Sequence, residues 1–468
     1  MSHDEKQREP EERATALEAW IREETDRATA SLLKNVSPEG AMRGAIVAST
    51  SRSHPNYYFH WVRDAGIAVR ALLALHRSAT SPQERERYLG LLMDNIDFSR
   101  HIQRTARELG QGLGEARFTV DGAPSREESV PQDDGPAIRA LEMIRLASAL
   151  LDAGKGALVY EKLYDGRLPT GSLIKADLEY VAQRAGQPSF DCWEELWGHS
   201  FFTSLLQRKA LREGARLAQK LGDEGAATFY LERAKALEDL LARHWDPRRG
   251  YLVSTLDDEG NPVAHRSGLD TSVVVATLGG YGMEDDLQNE DLYPVEHEHV
   301  LATVVALEDV FAGLYPINSA ARGLPGIAMG RYPEDTYDGY STQSLGNPWS
   351  SVTTAFAMYY HTLARRLEAR KSIVLTSVSL PFFERLRPTH AHLQADKAIA
   401  HKDAAFKEIV RALRHRGDSF LERLRIHTGP DGALAEQMDR ITGFQTGAAD
   451  LTMSYAALVL AAATRRRA

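Results

Sequence analysis

An all-α protein is what this sequence predicts. Three observations carry it. Apolar residues recur at helical spacing along most of the chain, strand signals are few, and no strand–helix alternation builds a parallel sheet. Twelve helical stretches follow one another without a Ser/Gly- or Pro-rich linker. Residues 11–33 place Ala16, Leu17, Trp20 and Ile21 on one face. Residues 64–76 carry Ala65, Ile67, Ala68, Val69, Ala71, Leu72 and Leu73, a pattern for burial most of the way round. Residues 83–109 present Tyr88, Leu91, Leu92, Ile96 and Ile102. Residues 134–151 open after Pro131-Gln132-Asp133-Asp134-Gly135-Pro136, with acids where a helix N-terminus favours them. Then come 173–184, 201–221, 224–244, 270–278, 297–311, 351–367, 404–426 and 446–463. One strand signal stands out, residues 250–254, read as a hairpin arm closed by the turn at 258–261. This pattern fits one large helical domain over 1–468, with frayed ends at 1–8 and 465–468. A toroid of paired helices and an irregular bundle both satisfy it.

Composition narrows the function. The 468 residues are 43% hydrophobic and 26% charged, ordinary for a globular protein. Fifty-six Lys and Arg against 65 Asp and Glu leave a net charge of −9, which disfavours nucleic acid and anionic membranes as partners. The longest apolar run, 455–464, is too short for the ~20 residues that span a bilayer. The N-terminus has no apolar core of a secretory leader. The one cysteine, Cys192, cannot form a disulfide within the chain and suits a reducing compartment, so a cytoplasmic location is expected. A monomer is the expected state.

Four segments mix residues that make poor core and good site material. In Asn56-Tyr57-Tyr58-Phe59-His60-Trp61-Val62-Arg63-Asp64, four aromatics precede an Arg-Asp pair. Aromatic faces suit the C–H faces of sugar rings, and Arg and Asp suit hydroxyls. The competing reading is core aromatics with Asp64 as a helix cap. Asp191-Cys192-Trp193-Glu194-Glu195-Leu196-Trp197-Gly198 sets two carboxylates between tryptophans. A carboxyl desolvated by an aromatic can act as an acid near neutral pH; alternatively both glutamates cap a helix that begins there. Leu434-Ala435-Glu436-Gln437-Met438-Asp439 offers a second carboxylate, and a pair is the equipment of glycoside hydrolysis. Gly330-Arg331-Tyr332-Pro333-Glu334-Asp335-Thr336-Tyr337 and Gly346-Asn347-Pro348-Trp349 suit a rigid binding loop, with an exposed loop of no function as the competing reading.

Other signals are set aside. Gly110-Gln111-Gly112-Leu113-Gly114 follows a helix, so it is no dinucleotide fingerprint. His297-Glu298-His299 lacks the i, i+4 spacing of a helical zinc pair. The acidic stretch 285–291 lacks the calcium-loop pattern with its central glycine. No base is evident beside Cys192, which reads as packing.

Taken together, these segments resemble the glucoamylases, glycoside hydrolase family fifteen. The likeness runs from about residue 44 to 461. It is carried by Gly44-Ala45-Ile46-Val47-Ala48-Ser49, Trp61-Val62-Arg63-Asp64, Gly112-Leu113-Gly114-Glu115 and Pro131-Gln132-Asp133-Asp134-Gly135-Pro136. Further along come Trp193-Glu194-Glu195, Ser200-Phe201-Phe202-Thr203, Gly330 to Tyr337, Gly346-Asn347-Pro348-Trp349, Glu436-Gln437 and Asp450-Leu451-Thr452-Met453-Ser454-Tyr455.

The resemblance implies an (α/α)6 barrel, a six-hairpin toroid, and inverting hydrolysis of α-glucosidic bonds from non-reducing ends of oligo- or polysaccharides. It implies Glu194 as general acid and Glu436 as general base. Substrate would be bound by Tyr57, Trp61, Arg63, Asp64, Trp193, Glu195, Arg331 and Trp349. Arg63 and Asp64 would hold the terminal glucose, and Glu195 and Arg331 the leaving side. No metal and no organic cofactor is implied, and neither a starch-binding nor a β-sandwich domain accompanies the catalytic unit. This chain departs from the family pattern in three places: Glu128-Ser129-Val130 replaces the usual Trp-Gly-Arg before Pro-Gln, Met453 stands where Trp is frequent, and Trp197 where fungal members often have Asn. The departures keep α-1,6-glucan (dextran or isomalto-oligosaccharide) glucosidase and trehalase open as readings within the family. A non-catalytic carbohydrate-binding protein on the same fold is the reading outside it.

Overall fold

The structure is a computed structural model that describes residues 3–108, 110, 112–125, 130–168, 171–263, 266–279, 292–386 and 393–468. Among these residues twelve helices of eight residues or more carry the fold: α1 (His3–Lys34), α2 (Val62–Ser78), α3 (Pro82–Glu108), α4 (Asp134–Asp152), α5 (Leu173–Arg184), α6 (Phe201–Lys220), α7 (Glu224–Arg243), α8 (Ser272–Gly279), α9 (Glu298–Leu314), α10 (Ser350–Arg370), α11 (Ala404–His427) and α12 (Thr452–Arg465). The chain divides into two compact units, Lys34–Ala306 and Met1–Leu33 with Leu307–Ala468.

In the Lys34–Ala306 unit two kinds of helix alternate. α3 buries one stripe, Tyr88, Leu92, Ile96, Ser99, Ile102 and Ala106. α7 does the same with Ala226, Tyr230, Ala234, Leu237 and Leu241. Steps of three and four residues leave the opposite face to water. α2, α4 and α6 are buried nearly all round. On α4, Ile138, Leu141, Met143, Ile144 and Leu146 point in different directions, yet none is more than 4% exposed. Such helices need neighbours on every side, and they have them: α2 packs on α3 and α4, α4 on α5 and α6, and α6 on α7 and α8. Truncating one such leucine to alanine costs about 2–5 kcal/mol, which is why these faces tolerate only apolar residues.

In the other unit α10 is the helix buried all round, packed on α11 and α12. Tyr360 of α10 stacks between Phe382 and Phe420, and its hydroxyl donates to Glu308 Oε1 at 2.6 Å. Gly417 of α11 is required by a close approach, because a Cβ there would lie 2.7 Å from the His361 ring.

Several boundaries shift from the sequence reading. The last helix begins at Thr452, not 446, because Gln445–Thr446 pairs antiparallel with Gln437–Met438, and Gly447 and Asp450 have φ of 76° and 50°. The 250–254 segment pairs back through Tyr251–Leu252 to Trp245–Asp246. The 258–261 turn closes a different hairpin, between Leu256 and Pro262. These short pairings fall in the loops that precede helices, and the candidate site residues fall there too.

Candidate active site

Each candidate residue lies in a loop that leads into a buried helix, or in that helix's first turn. Loops at helix ends are free of packing constraints, and a rigid helix behind them fixes their position. In the Lys34–Ala306 unit the four contributing helices are α2, α4, α6 and α8.

Trp61 is the N-cap residue of α2 and makes no side-chain cap bond. Asp64 is therefore not the cap that one reading of the sequence made it; it lies in the first turn, beside Arg63. Arg63 reaches out of α2 and collects acceptors from two other loops. Its Nη1 donates to Asp134 Oδ2 at 2.9 Å and to Gln132 Oε1, and its Nη2 lies 3.5 Å from Glu194 Oε1. Trp61 Nε1 donates to the same Glu194 oxygen at 3.1 Å. Tyr57 and Phe59 pack edge-on against the Trp61 ring, and the Arg117 guanidinium lies 5.2 Å from its centroid. The ring is thus held on several sides, and so is the atom it presents.

Glu194 and Glu195 do not cap a helix. They lie in the turn of a hairpin whose arms, Ser189–Phe190 and Trp197–Ser200, run antiparallel, ten residues or fewer before α6 starts at Phe201. Asp191 builds that turn: its Oδ1 accepts from the backbone N–H of Glu195 at 2.8 Å and of Leu196 at 3.1 Å. Its backbone exchanges bonds with Glu194 and Leu196. Glu194 takes a left-handed conformation, φ 67°, which is costly for a residue with a side chain and persists only where surroundings impose it. Glu195 turns the other way and accepts from Arg266 Nη2 at 2.6 Å. Trp193 Nε1 donates to both oxygens of Asp270, 3.0 Å each, and Asp270 is itself anchored by Ser272 N at the start of α8. Cys192 is buried in this turn, and burial pushes its thiol up, so it stays a neutral packing residue.

Burial dominates the electrostatics here. It pushes Asp64 up to about 6 against the pull of Arg63, with Glu194 and Asp134 adding like charge. It pushes Asp270 up to about 7, with backbone bonds opposing. Arg63 is held firmly charged by Asp134, Asp64 and Glu194, which outweigh its own desolvation.

The other unit holds the remaining candidates. Trp349 is the N-cap residue of α10, and its backbone bridges to Gln437. Glu436 is 1% exposed; its N–H donates to Ala448 O and its C=O accepts from Ser350 N. Tyr337 Oη donates to Gly339 O at 3.0 Å and lies 3.4 Å from Glu436 Oε2. Gly447, at φ 76°, is shaped around this carboxylate: a Cβ there would lie 2.7 Å from Glu436 Oε2. Arg331 forms a two-pronged pair with Asp335, 2.8 and 2.6 Å, both buried. Its guanidinium also lies 5.4 Å from the ring centroids of Trp349 and Tyr337. Asn347 ties the two loops together, donating to Gln437 Oε1 at 3.0 Å and accepting from Arg440 N.

The ten candidates thus fall in two groups of interconnected loops: Tyr57, Trp61, Arg63, Asp64, Trp193, Glu194 and Glu195 in one unit, Arg331, Trp349 and Glu436 in the other. Sequence reasoning missed their partners. Gln132 and Asp134 had been read only as a helix entry; they are acceptors for Arg63. Asp191, Arg266 and Asp270 on one side, and Tyr337, Asn347 and Gly447 on the other, carried no assigned task. Most lie in the motifs already singled out, which was the available signal; Arg266, Asp270 and Gly447 had none. His299 of the set-aside histidine pair stacks on Trp245 at 3.8 Å. Glu128 and Ser129, Gln111 and the acidic stretch 285–291 lie outside the described residues. Among the described residues no helix is long and apolar enough to cross a membrane.

The model of the glycosyl hydrolases family 15 matches residues 27–463. The glucoamylase of Blastobotrys adeninivorans is 34% identical over 459 residues, 95% of this chain and 72% of that protein. The intracellular, sporulation-specific glucoamylase of Saccharomyces cerevisiae is 28% identical over 470 residues, 94% of this chain and 83% of that one. The solved glucoamylase of Saccharomycopsis fibuligera superposes with a TM-score of 0.86 at 29% identity, covering 96% of this chain and 95% of that one. The fold is therefore theirs, the all-α (α/α)6 barrel.

Proposed function

The chain belongs to the glycosyl hydrolases of family 15, and from that premise we propose that it is an inverting, exo-acting α-glucosidase of the glucoamylase type. It releases β-D-glucose from the non-reducing ends of malto-oligosaccharides and starch- or glycogen-like glucans. Glu194 is the general acid and Glu436 the general base.

The observation that carries the assignment is the way Glu194 is held. Trp61 Nε1 and Arg63 Nη2 both address Oε1. Donors on Oε1 leave Oε2 as the oxygen that bears the proton of the acid form. A single, fixed proton position is what protonation of a glycosidic oxygen needs. Glu436 serves as the base that takes a proton from the attacking water. In an inverting site the two carboxyls stand roughly 6.5–9.5 Å apart to leave room for that water. Arg63 and Asp64 hold the terminal glucose through its hydroxyls. Tyr57 and Trp61 line the pocket, and Trp193, Glu195, Arg331 and Trp349 contact the sugars on either side of the cleaved bond. Water attacks the anomeric carbon as the C–O bond to the leaving sugar breaks. Glu194 gives its proton to that oxygen, and Glu436 receives the water's.

The cytoplasm is the proposed compartment. Its support is a single buried cysteine and a relative named as intracellular. Secreted activity of the chain in its host would overturn that placement.

Proton NMR of fresh reactions with maltose, maltotetraose, isomaltose and trehalose tests the reaction. β-Glucose as the first anomer, from the malto-oligosaccharides, is the expected result. α-Glucose as the first anomer would overturn the inverting mechanism. Preferred turnover of isomaltose or trehalose would overturn the linkage.

A further inference from the structure

Of the six tryptophans, Trp197 stands apart among the described residues: 52% of it is exposed, while the others are buried or half-buried. An indole left in water on a rigid surface is an unspent binding face. This one is not loosely placed. Its backbone pairs with Phe190 across the hairpin, and the Phe190 ring meets it edge-on at 5.3 Å and 74°. The adjacent residues are pinned: Leu196 N donates to Asp191 Oδ1, and Gly198 sits so close to Leu256 that a Cβ would lie 2.5 Å from its carbonyl oxygen. The indole is therefore presented in a fixed orientation, at little cost in side-chain entropy on binding.

Its position gives the face a purpose. The hairpin turn that carries Glu194 and Glu195 ends at Trp197. Trp197 lies three positions after the acid, so their Cα atoms are at most about 11 Å apart. Glu195, two positions before it, accepts from Arg266 Nη2 at 2.6 Å. In an exo-acting site the terminal sugar is enclosed and the rest of a longer glucan continues from the scissile oxygen at Glu194 toward solvent. Trp197 is an exposed aromatic within about 11 Å, Cα to Cα, of the residue that would protonate that oxygen.

We infer that Trp197 is an additional sugar platform for the leaving-side portion of longer malto-oligosaccharides, and so sets chain-length preference. The inference rests on the proposed hydrolysis, whose failure would be seen separately in the wild-type protein. The occupant is one stacked glucose ring of the substrate's reducing-end portion, its apolar C–H face on the indole.

The test compares kcat/KM for maltohexaose with that for maltose, in the wild-type protein, Trp197→Ala and Trp197→Phe. Trp197→Ala should lower the maltohexaose-to-maltose ratio about fivefold, the size of one lost aromatic contact. The change should reside in KM, because a distant stacking contact binds ground state and transition state alike. Trp197→Phe, which keeps an aromatic face, should restore most of the ratio. An unchanged ratio in an active, folded Trp197→Ala protein overturns the platform and leaves the hydrolase reading intact. An unchanged ratio with a shift in elution on size-exclusion chromatography assigns Trp197 to a contact between copies, which also overturns it. If the wild-type protein releases glucose from neither substrate, the hydrolase reading falls and the platform falls with it.

Discussion

Gly447 makes the sharpest test of how the base is placed. It has φ 76°, and a Cβ added to it would lie 2.7 Å from Glu436 Oε2 and 3.3 Å from Glu436 Cβ. Gly447→Ala therefore does two things. It forces a residue with a side chain into the left-handed region, at a cost of about 1–2 kcal/mol. It also drives the carboxylate out of its position by several tenths of an ångström, toward ordinary van der Waals separation. The displacement cannot be absorbed freely, since Glu436 is 1% exposed and its backbone is bonded to Ala448 and Ser350. A misplacement approaching 1 Å costs about 100-fold in rate. Gly323→Ala separates the two effects. Gly323 has φ 61° in the same unit, and nothing lies within 4 Å of a Cβ built there. It carries the backbone penalty alone. Steady-state maltotetraose hydrolysis and thermal unfolding of both variants should show comparable small losses of stability, with kcat reduced about 10- to 100-fold only in Gly447→Ala. If Gly447→Ala keeps wild-type kcat while its stability falls like that of Gly323→Ala, the position of Glu436 is not rate-determining and its assignment as base fails.

Three further outcomes are expected. Glu194→Gln should lower kcat by about 100- to 10,000-fold with a modest change in KM, because the amide keeps the hydrogen bonds but has no acidic proton; near-normal turnover by maltose assay would remove Glu194 as the acid. Asp191→Ala deletes the acceptor for two backbone N–H groups in the turn, so unfolding stability should drop by about 1–3 kcal/mol and kcat should fall as the Glu194 turn loosens; a stable variant with unaltered kcat would show that the turn holds itself. Asp270 binds its proton more tightly folded than unfolded, its carboxyl raised by burial from 3.8 to about 7. Between those values the folded chain retains a proton the unfolded chain has lost, so this group's stabilisation is full below about pH 4 and disappears as pH rises to about 7. Asp270→Asn should flatten that decline in melting temperature, and an identical slope in both proteins would rule the contribution out.

The motifs were legible because each sets aromatic residues beside charged ones in a short stretch, a mixture that suits neither a core nor a plain solvated face. Composition singled out Trp193-Glu194-Glu195 and Trp61-Val62-Arg63-Asp64, while cap and core readings stayed open for both until the resemblance was added. The supporting contacts were not legible. Trp61 meets Glu194 across 133 residues, Arg63 meets Asp134 across 71, and Trp193 meets Asp270 across 77. Asp134 and Asp270 look like helix-entry acids, and a sequence cannot tell an acid that serves the helix dipole from one that turns to a neighbouring arginine or indole. The reading of Glu194 and Glu195 as caps fails for a related reason. Their hairpin has arms of two and four residues, too short to leave an alternating pattern.

By itself the sequence determined the helical class and the number of long helices, since both follow from the period at which apolar residues recur. It also singled out the loops to which the proposed chemistry is assigned. Only the tertiary structure decided how those loops are held: which oxygen of Glu194 is occupied by donors, which glycine clears the space around Glu436, and which tryptophan stays in water beside the acid. Periodicity is a local property, set within a few turns of chain. A hydrogen bond between loops more than a hundred residues apart exists only after the helices behind them have packed.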